Sequence, residues 1–176
     1  MGRVSRFSHL SPEGKPRMVD VSAKPATHRS ATAEAWVDVG PTIARELRRS
    51  GGLAKGEVLN TASLAGTLGA KQTAGLIPLC HPLPLDVVDV DARVIGRRVR
   101  IVATVRCEGK TGVEMEAMTA ATVAALTVYD MVKSAGLRQP KLGRLRPAKA
   151  GRGIEIGPVR LLEKTGGKSG RWIRES

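Results

Sequence analysis

The chain has 176 residues and a formal charge of +13, enough for one domain with a real core and too few for two comfortable ones. Aromatic residues make up only 2% (Phe7, Trp36, Tyr129 and Trp172), so the core must be built from Val, Leu, Ile, Ala and Met. The composition argues against a zinc finger or a disulfide scaffold, because Cys80 and Cys107 are isolated, and against a membrane span, because no apolar run is long enough.

Residues 1–16 read as a loose arm without the apolar stretch of a signal peptide, and with Arg6 where myristoylation needs Ser or Thr, so a cytoplasmic protein with reduced thiols is expected. RMVDVSA (17–23) is predicted as a short strand ended by Lys24-Pro25, and AEAWVDV (33–39) alternates as a second. Pro41 to Arg49 reads as a short helix with Pro in its first turn and Gly51-Gly52 beyond its end. An Ala- and Gly-rich helix is predicted from Lys55 to Leu76. Leu79 to Pro84 is a stiff extended linker, since its two prolines forbid helix there. Residues 85–94 and 99–107 alternate with period two around Gly96-Arg97 and form the best hairpin. A long small-residue helix follows from Val113 to Ser134, then a basic loop at 136–153, a strand over 154–163 and a Gly- and Lys-rich tail.

From Ala33 onward, with the short helix set aside, the order is β-α-β-β-α-β, the ferredoxin-like split pattern. The expected fold class is α+β: an antiparallel sheet of four or more strands with two long helices packed on one face. The expected organisation is an arm over 1–16, one ferredoxin-like domain over 17–164 and a tail over 165–176.

The long helix carries Glu114, Glu116, Asp130 and Lys133 in an otherwise nearly uncharged run, and charges in such a setting are costly unless paired or used. Asp130 and Lys133 are i and i+3 and share a face. Glu116 lies within about 40° of the azimuth of Asp130 but about 21 Å away along the axis. The four groups therefore cannot meet on one straight helix. Either the glutamates sit on a preceding turn that folds back, or the site is assembled across a subunit interface. A Lys beside an Asp is a candidate proton-transfer pair, because burial lowers the Lys pKa and the carboxylate raises it. His81, flanked by prolines, is rigidly presented for ligand contact. No metal site is expected, because the other two histidines, His9 and His28, belong to the N-terminal region and a His cluster is not anticipated.

Two segments, Gly109-Lys110-Thr111 and Gly167-Lys168-Ser169, resemble the end of a phosphate-binding loop. The full motif requires glycine where Thr104 and Leu162 stand, so neither qualifies. The positive charge invites a polyanion, and a ferredoxin-like nucleic-acid-binding protein is the rival reading. The missing aromatic platforms count against it.

LIPLCHPLPL (76–85), GKTGVEMEAMTAATVAALTVYDMVK (109–133) and RLLEKTGGKSG (160–170) resemble the molybdenum cofactor biosynthesis protein C family, the cyclic pyranopterin monophosphate synthases. RMVDVSAKP (17–25) and KGEVLNTASLAGTLGAKQT (55–73) agree, so the resemblance runs from about Arg17 to Gly170. It implies an enzyme that converts (8S)-3′,8-cyclo-7,8-dihydroguanosine 5′-triphosphate to cyclic pyranopterin monophosphate with loss of pyrophosphate. It also implies a ferredoxin-like fold and a homohexamer, a trimer of dimers with sites at subunit interfaces.

Carried over by position, Asp130 and Lys133 match the catalytic pair. Leu79, Cys80, His81, Met115 and Glu116 match substrate-contacting segments, with Glu114 beside them. Lys55 matches a lysine reaching in from a neighbouring subunit, and Arg29 and Lys164 sit where basic residues face the triphosphate. No cofactor is expected to be required, with Mg²⁺ at most accompanying the triphosphate. Membrane and nucleic-acid partners are not expected. Two departures stand out: the 136–153 loop is unusually long and basic, and Ser30-Ala31-Thr32 follows Arg29 where an acidic residue often stands.

Overall fold

The structure is a computed structural model that describes residues 9–11, 13–50, 57–137 and 153–175. Its elements are β1 (Thr27–Asp38), α1 (Gly40–Ser50), α2 (Val58–Lys71), α3 (Thr73–Leu76), β2 (Val87–Ile95), β3 (Arg98–Gly109), α4 (Glu114–Leu137), β4 (Glu155–Thr165) and β5 (Trp172–Ile173). The strands form one antiparallel sheet in the order β2-β3-β1-β4-β5. The β1-α2-β2 crossover steps over β3, and the β3-α4-β4 crossover steps over β1. These are two interleaved split units, as the element order predicts.

Period-two alternation explains the layering. Ala31, Ala33, Ala35 and Val37 of β1, and Val99, Ile101, Ala103, Val105 and Cys107 of β3, are all at most 2% exposed and face the helices. Ala117, Ala120, Ala121, Ala124, Ala125, Val128 and Val132 of α4 meet them. These positions recur every three or four residues, so one stripe of α4 is buried. The helices approach closely because glycines stand where they cross. A Cβ on Gly66 would lie 2.9 Å from the backbone oxygen of Ala120 and 3.1 Å from Val90 Cγ1, and one on Gly69 would lie 2.8 Å from Val123 Cγ2. Thus α2 touches α4 and β2 at once, on one face of the sheet.

The β2–β3 hairpin closes on Gly96-Arg97, with Ile95 paired to Arg98. Gly96 has φ +58, and only glycine takes this first position of a type II′ turn freely. On the opposite sheet face Glu34 lies between Arg160 (2.8 Å) and Arg100 (2.9 Å), whose guanidinium covers Trp36 at 5.6 Å. Burial raises the Glu34 carboxyl, but Arg100, the Trp36 indole and Arg160 outweigh it, leaving the group below its ordinary value.

Three sequence expectations shift. Residues 17–23 form no strand: 17–21 join no ladder, Ser22 and Ala23 turn so that Lys24 N–H donates to Val21 C=O at 3.0 Å, and the nearest pairing is an isolated Leu10–Pro16 bridge. The predicted 55–76 helix is described from Val58 and breaks at Gln72 into α2 and α3, while the last helix continues to Leu137. The tail contains β5, whose Trp172 and Ile173 pair with Lys164 and Glu163. The basic loop lies, from 138 to 152, outside the described residues.

Candidate active site

Three segments distant in sequence converge on one cavity of about 330 Å³. The N-terminal segment contributes His9, Val19, Val21 and Lys24, and the Pro-rich linker contributes Leu79, Cys80, His81 and Leu83. The turn into α4 supplies Thr111, Gly112, Glu114, Met115 and Glu116. The volume is at the small end of the roughly 300–1,000 Å³ usual for ligand sites.

The linker is held from both sides. Cys80 N–H donates to Ile77 C=O at 3.1 Å, and His81 Nε2 lies 2.8 Å from the Val19 carbonyl oxygen. A carbonyl only accepts, so Nε2 carries a proton and donates, and Nδ1 is the ring nitrogen this bond does not use. This bond also explains residues 17–23: Val19 and Val21 alternate as in a strand but line the cavity, and the chain bonds to the imidazole instead of a neighbouring strand.

Glu114 and Glu116 occupy the first turn of α4 and differ sharply. Glu114 Oε1 pairs with Lys164 Nζ at 3.1 Å. Glu116 is 4% exposed, and its Oε2 is buried with no hydrogen-bond partner among the described residues. Burial pushes the Glu116 carboxyl up and the Glu114 charge adds to this, against an opposing bond from its own backbone. Glu116 is thus inclined to hold its proton, whereas Glu114 is paired with Lys164. The Cys80 thiol is raised by burial and then by Glu116, and Cys107 by burial, Asp86 and Glu116. Neither is poised as a thiolate nucleophile.

The raised Glu116 pKa has a consequence for stability. A carboxyl that binds its proton more tightly when folded contributes stability below its unfolded pKa and loses it as pH rises through the folded value. Glu116→Gln is therefore expected to exceed the wild type in stability at neutral pH, by about 1–2 kcal/mol for a buried unsatisfied group. The gap should close as pH falls to about 4. Thermal melts at both ends of that range check it; a constant gap would contradict it.

The structure brings six of the residues singled out from the sequence into this cavity: Leu79, Cys80, His81, Glu114, Met115 and Glu116. Lys164 joins through Glu114. Arg29 Nε donates to Gly109 C=O at 3.2 Å, at the same end of the sheet, where Ala31 pairs with Lys164. Lys55 lies outside the described residues. Asp130 and Lys133 do not reach the cavity. α4 is one continuous helix, so the folded-back turn is ruled out, and Asp130 and Lys133 sit about 21 Å and about 26 Å further along the axis from Glu116.

The sequence suggested a buried setting for Asp130 and Lys133, yet their side chains are 63% and 47% exposed. Ala and Val bury only one stripe of α4, and the pair lies off it. A hydrogen bond from Lys133 to Asp130, reinforced by the Asp charge, raises the Lys pKa, which favours the ammonium form. Sequence reasoning missed His9, Val19, Val21, Lys24, Leu83, Thr111 and Gly112 as cavity residues; His9, set apart from His81 by its place in the chain, lines the same cavity. RMVDVSAKP was a signal for Val19, Val21 and Lys24, but it carried no role. Among the described residues, no group of three or more His, Cys, Asp or Glu could hold a metal ion, and no helix is long and apolar enough to cross a membrane.

Comparison with known proteins bears directly on this constellation. The MoaC family model matches residues 18–167. A cyclic pyranopterin monophosphate synthase of Thermomicrobium roseum is 47% identical over 174 residues, covering 98% of this chain and 95% of its own. One from Streptomyces coelicolor is 48% identical, covering 96% of this chain and 90% of its own. Molybdenum cofactor biosynthesis protein 1 of Drosophila melanogaster is 49% identical over 93% of this chain, which corresponds to 26% of that longer protein.

Proposed function

The chain belongs to the MoaC family, and from this we propose that it acts as a cyclic pyranopterin monophosphate synthase in molybdenum cofactor biosynthesis. Its substrate is (8S)-3′,8-cyclo-7,8-dihydroguanosine 5′-triphosphate, and it releases cyclic pyranopterin monophosphate and pyrophosphate. The observation that carries this reading is the convergence of the 79–83 linker and the 111–116 turn on one cavity, within a match spanning nearly the whole chain.

Each residue type suits the chemistry. The cavity, with the imidazole of His81 and the carboxyl of Glu116, takes the polar ring system. Lys164 and Arg29, with Lys55, face the triphosphate and stabilise the charge that develops on departing pyrophosphate. Lys133, held as an ammonium by Asp130, donates a proton during ring rearrangement. No resident cofactor is required, and Mg²⁺ enters only as a companion of the triphosphate.

Since Lys133 cannot reach the cavity of its own chain, a second subunit supplies it, in a homohexamer built as a trimer of dimers. Exposed apolar side chains support a partner: Leu64 and Leu68 on α2, at 63% and 55%, and Leu126 and Tyr129 on α4, at 54% and 38%. The site is cytoplasmic, and neither membrane nor nucleic acid takes part.

The test is direct. Purified protein incubated with the cyclised triphosphate should release pyrophosphate and form the pyranopterin. Absence of both, under conditions where the Thermomicrobium roseum enzyme converts the substrate, would refute the assignment.

A further inference from the structure

We propose that the Glu114 carboxylate holds the place of a substrate phosphate beside Lys164, yields it when the triphosphate binds and reclaims it as pyrophosphate leaves. This rests on the reading of Lys164 as a phosphate ligand. Lys164 Nζ is engaged twice, by Glu114 Oε1 at 3.1 Å and by Ser169 Oγ at 3.0 Å. Its position is therefore set before any ligand arrives, and the one negative partner shown for it is a side chain of the cavity itself.

The carboxylate is folded back over Gly112. A Cβ there would lie 1.8 Å from Glu114 Oε2 and 2.6 Å from its carboxyl carbon. Only the missing side chain of Gly112 leaves this space open to the carboxylate. The position is the positive end of a 24-residue helix, where carboxylate and phosphate are both favoured. The cavity also has unmet bonding capacity, in the buried, unpartnered Oε2 of Glu116.

A neighbouring cation is held in place as well. Arg29 is bonded to Gly109, and its guanidinium lies where a Cβ on Gly167 would come within 1.7 Å of Nη1. Arg29 and Lys164 thus stand ready at one end of the sheet, one of them neutralised by an internal anion. The Glu114 and Lys164 side chains are 31% and 27% exposed, and pairs this open to water are weak. A multiply charged triphosphate displaces such a carboxylate. The carboxylate competes better against the smaller product, so the exchange favours release.

The experiment measures binding of inorganic pyrophosphate to the full-length protein by calorimetry. Glu114→Gln removes the competing charge. Gly112→Ala keeps it but evicts it, because the added methyl meets the mobile end of a side chain while the backbone is left alone. Both variants should bind pyrophosphate about fivefold more tightly than wild type, as expected for loss of a partly exposed ion pair. Lys164→Met should bind it several-fold more weakly. Unchanged or weaker binding in both Glu114→Gln and Gly112→Ala, with weakening in Lys164→Met, would overturn the exchange while leaving Lys164 as a phosphate ligand. Unchanged binding in Lys164→Met would instead remove the reading on which the exchange rests. A merely structural role for Glu114 would not tighten anion binding in either variant.

Discussion

Lys133→Ala is expected to lower turnover of the cyclised triphosphate by about 10³-fold, the scale of a lost proton-transfer group, while leaving the fold intact. The side chain is 47% exposed and its hydrogen bond runs to Asp130 in the same helix, so its loss should leave the stability of the fold essentially unchanged. Full activity in this variant would sink the catalytic assignment. The geometry makes a sharper demand. If Lys133 serves the cavity of a partner, Lys133→Ala and His81→Ala subunits carry complementary defects. Mixed assemblies of the two inactive variants should regain about a quarter of wild-type activity, because one in four randomly formed sites receives an intact cavity and an intact lysine. No recovery from properly mixed subunits would refute the shared site.

The largest effect on stability is expected at the helix crossing. Gly66→Val should cost about 3 kcal/mol, a large part of the roughly 5–15 kcal/mol that holds a domain folded. The first atom added would stand 2.9 Å from the Ala120 backbone oxygen, 3.1 Å from Val90 Cγ1 and 3.2 Å from Ala124 Cβ. A backbone oxygen cannot rotate aside, so α2 and α4 must separate along a contact made of Ala and Gly. The gain in helix propensity over glycine is under about 1 kcal/mol and cannot compensate. Gly75→Ala provides the control: its nearest neighbour would be Gln72 Oε1 at 3.8 Å, ordinary contact. Urea titrations should place Gly66→Val well below wild type and Gly75→Ala close to it. Equal midpoints for the two variants would show that the crossing tolerates bulk.

Several features of the site are legible in the residues alone. The linker 79–84 announces itself by its prolines, and the glutamates and the Asp–Lys pair by the cost of charge on a small-residue helix. Their separation along that helix already rules out one pocket on a straight rod. In the folded chain the rod is continuous, which removes the folded-back turn; the interface site is the proposal that the mixed assemblies test. Residues 17–23 mislead because period-two alternation marks any extended segment with one apolar side. It does not say whether that side faces a sheet or a cavity. Val19, 62 residues from His81 in sequence, bonds its imidazole, and Val21 lines the same cavity; only the folded chain brings them together.

The residues alone specify the β-α-β-β-α-β order from Ala33 onward and the small-residue character of the helix contact. These follow from local rules: turn chemistry at Gly96, prolines at 78–84, and periods of 2 and 3.6. Only the tertiary structure decided which distant groups became neighbours. It paired Lys164 with Glu114, left Glu116 Oε2 without a partner among the described residues, and exposed Asp130 and Lys133 on a helix whose composition promised burial. The physical reason is that periodicity assigns a residue to a face, whereas its partners depend on the register and crossing of elements far apart in the chain.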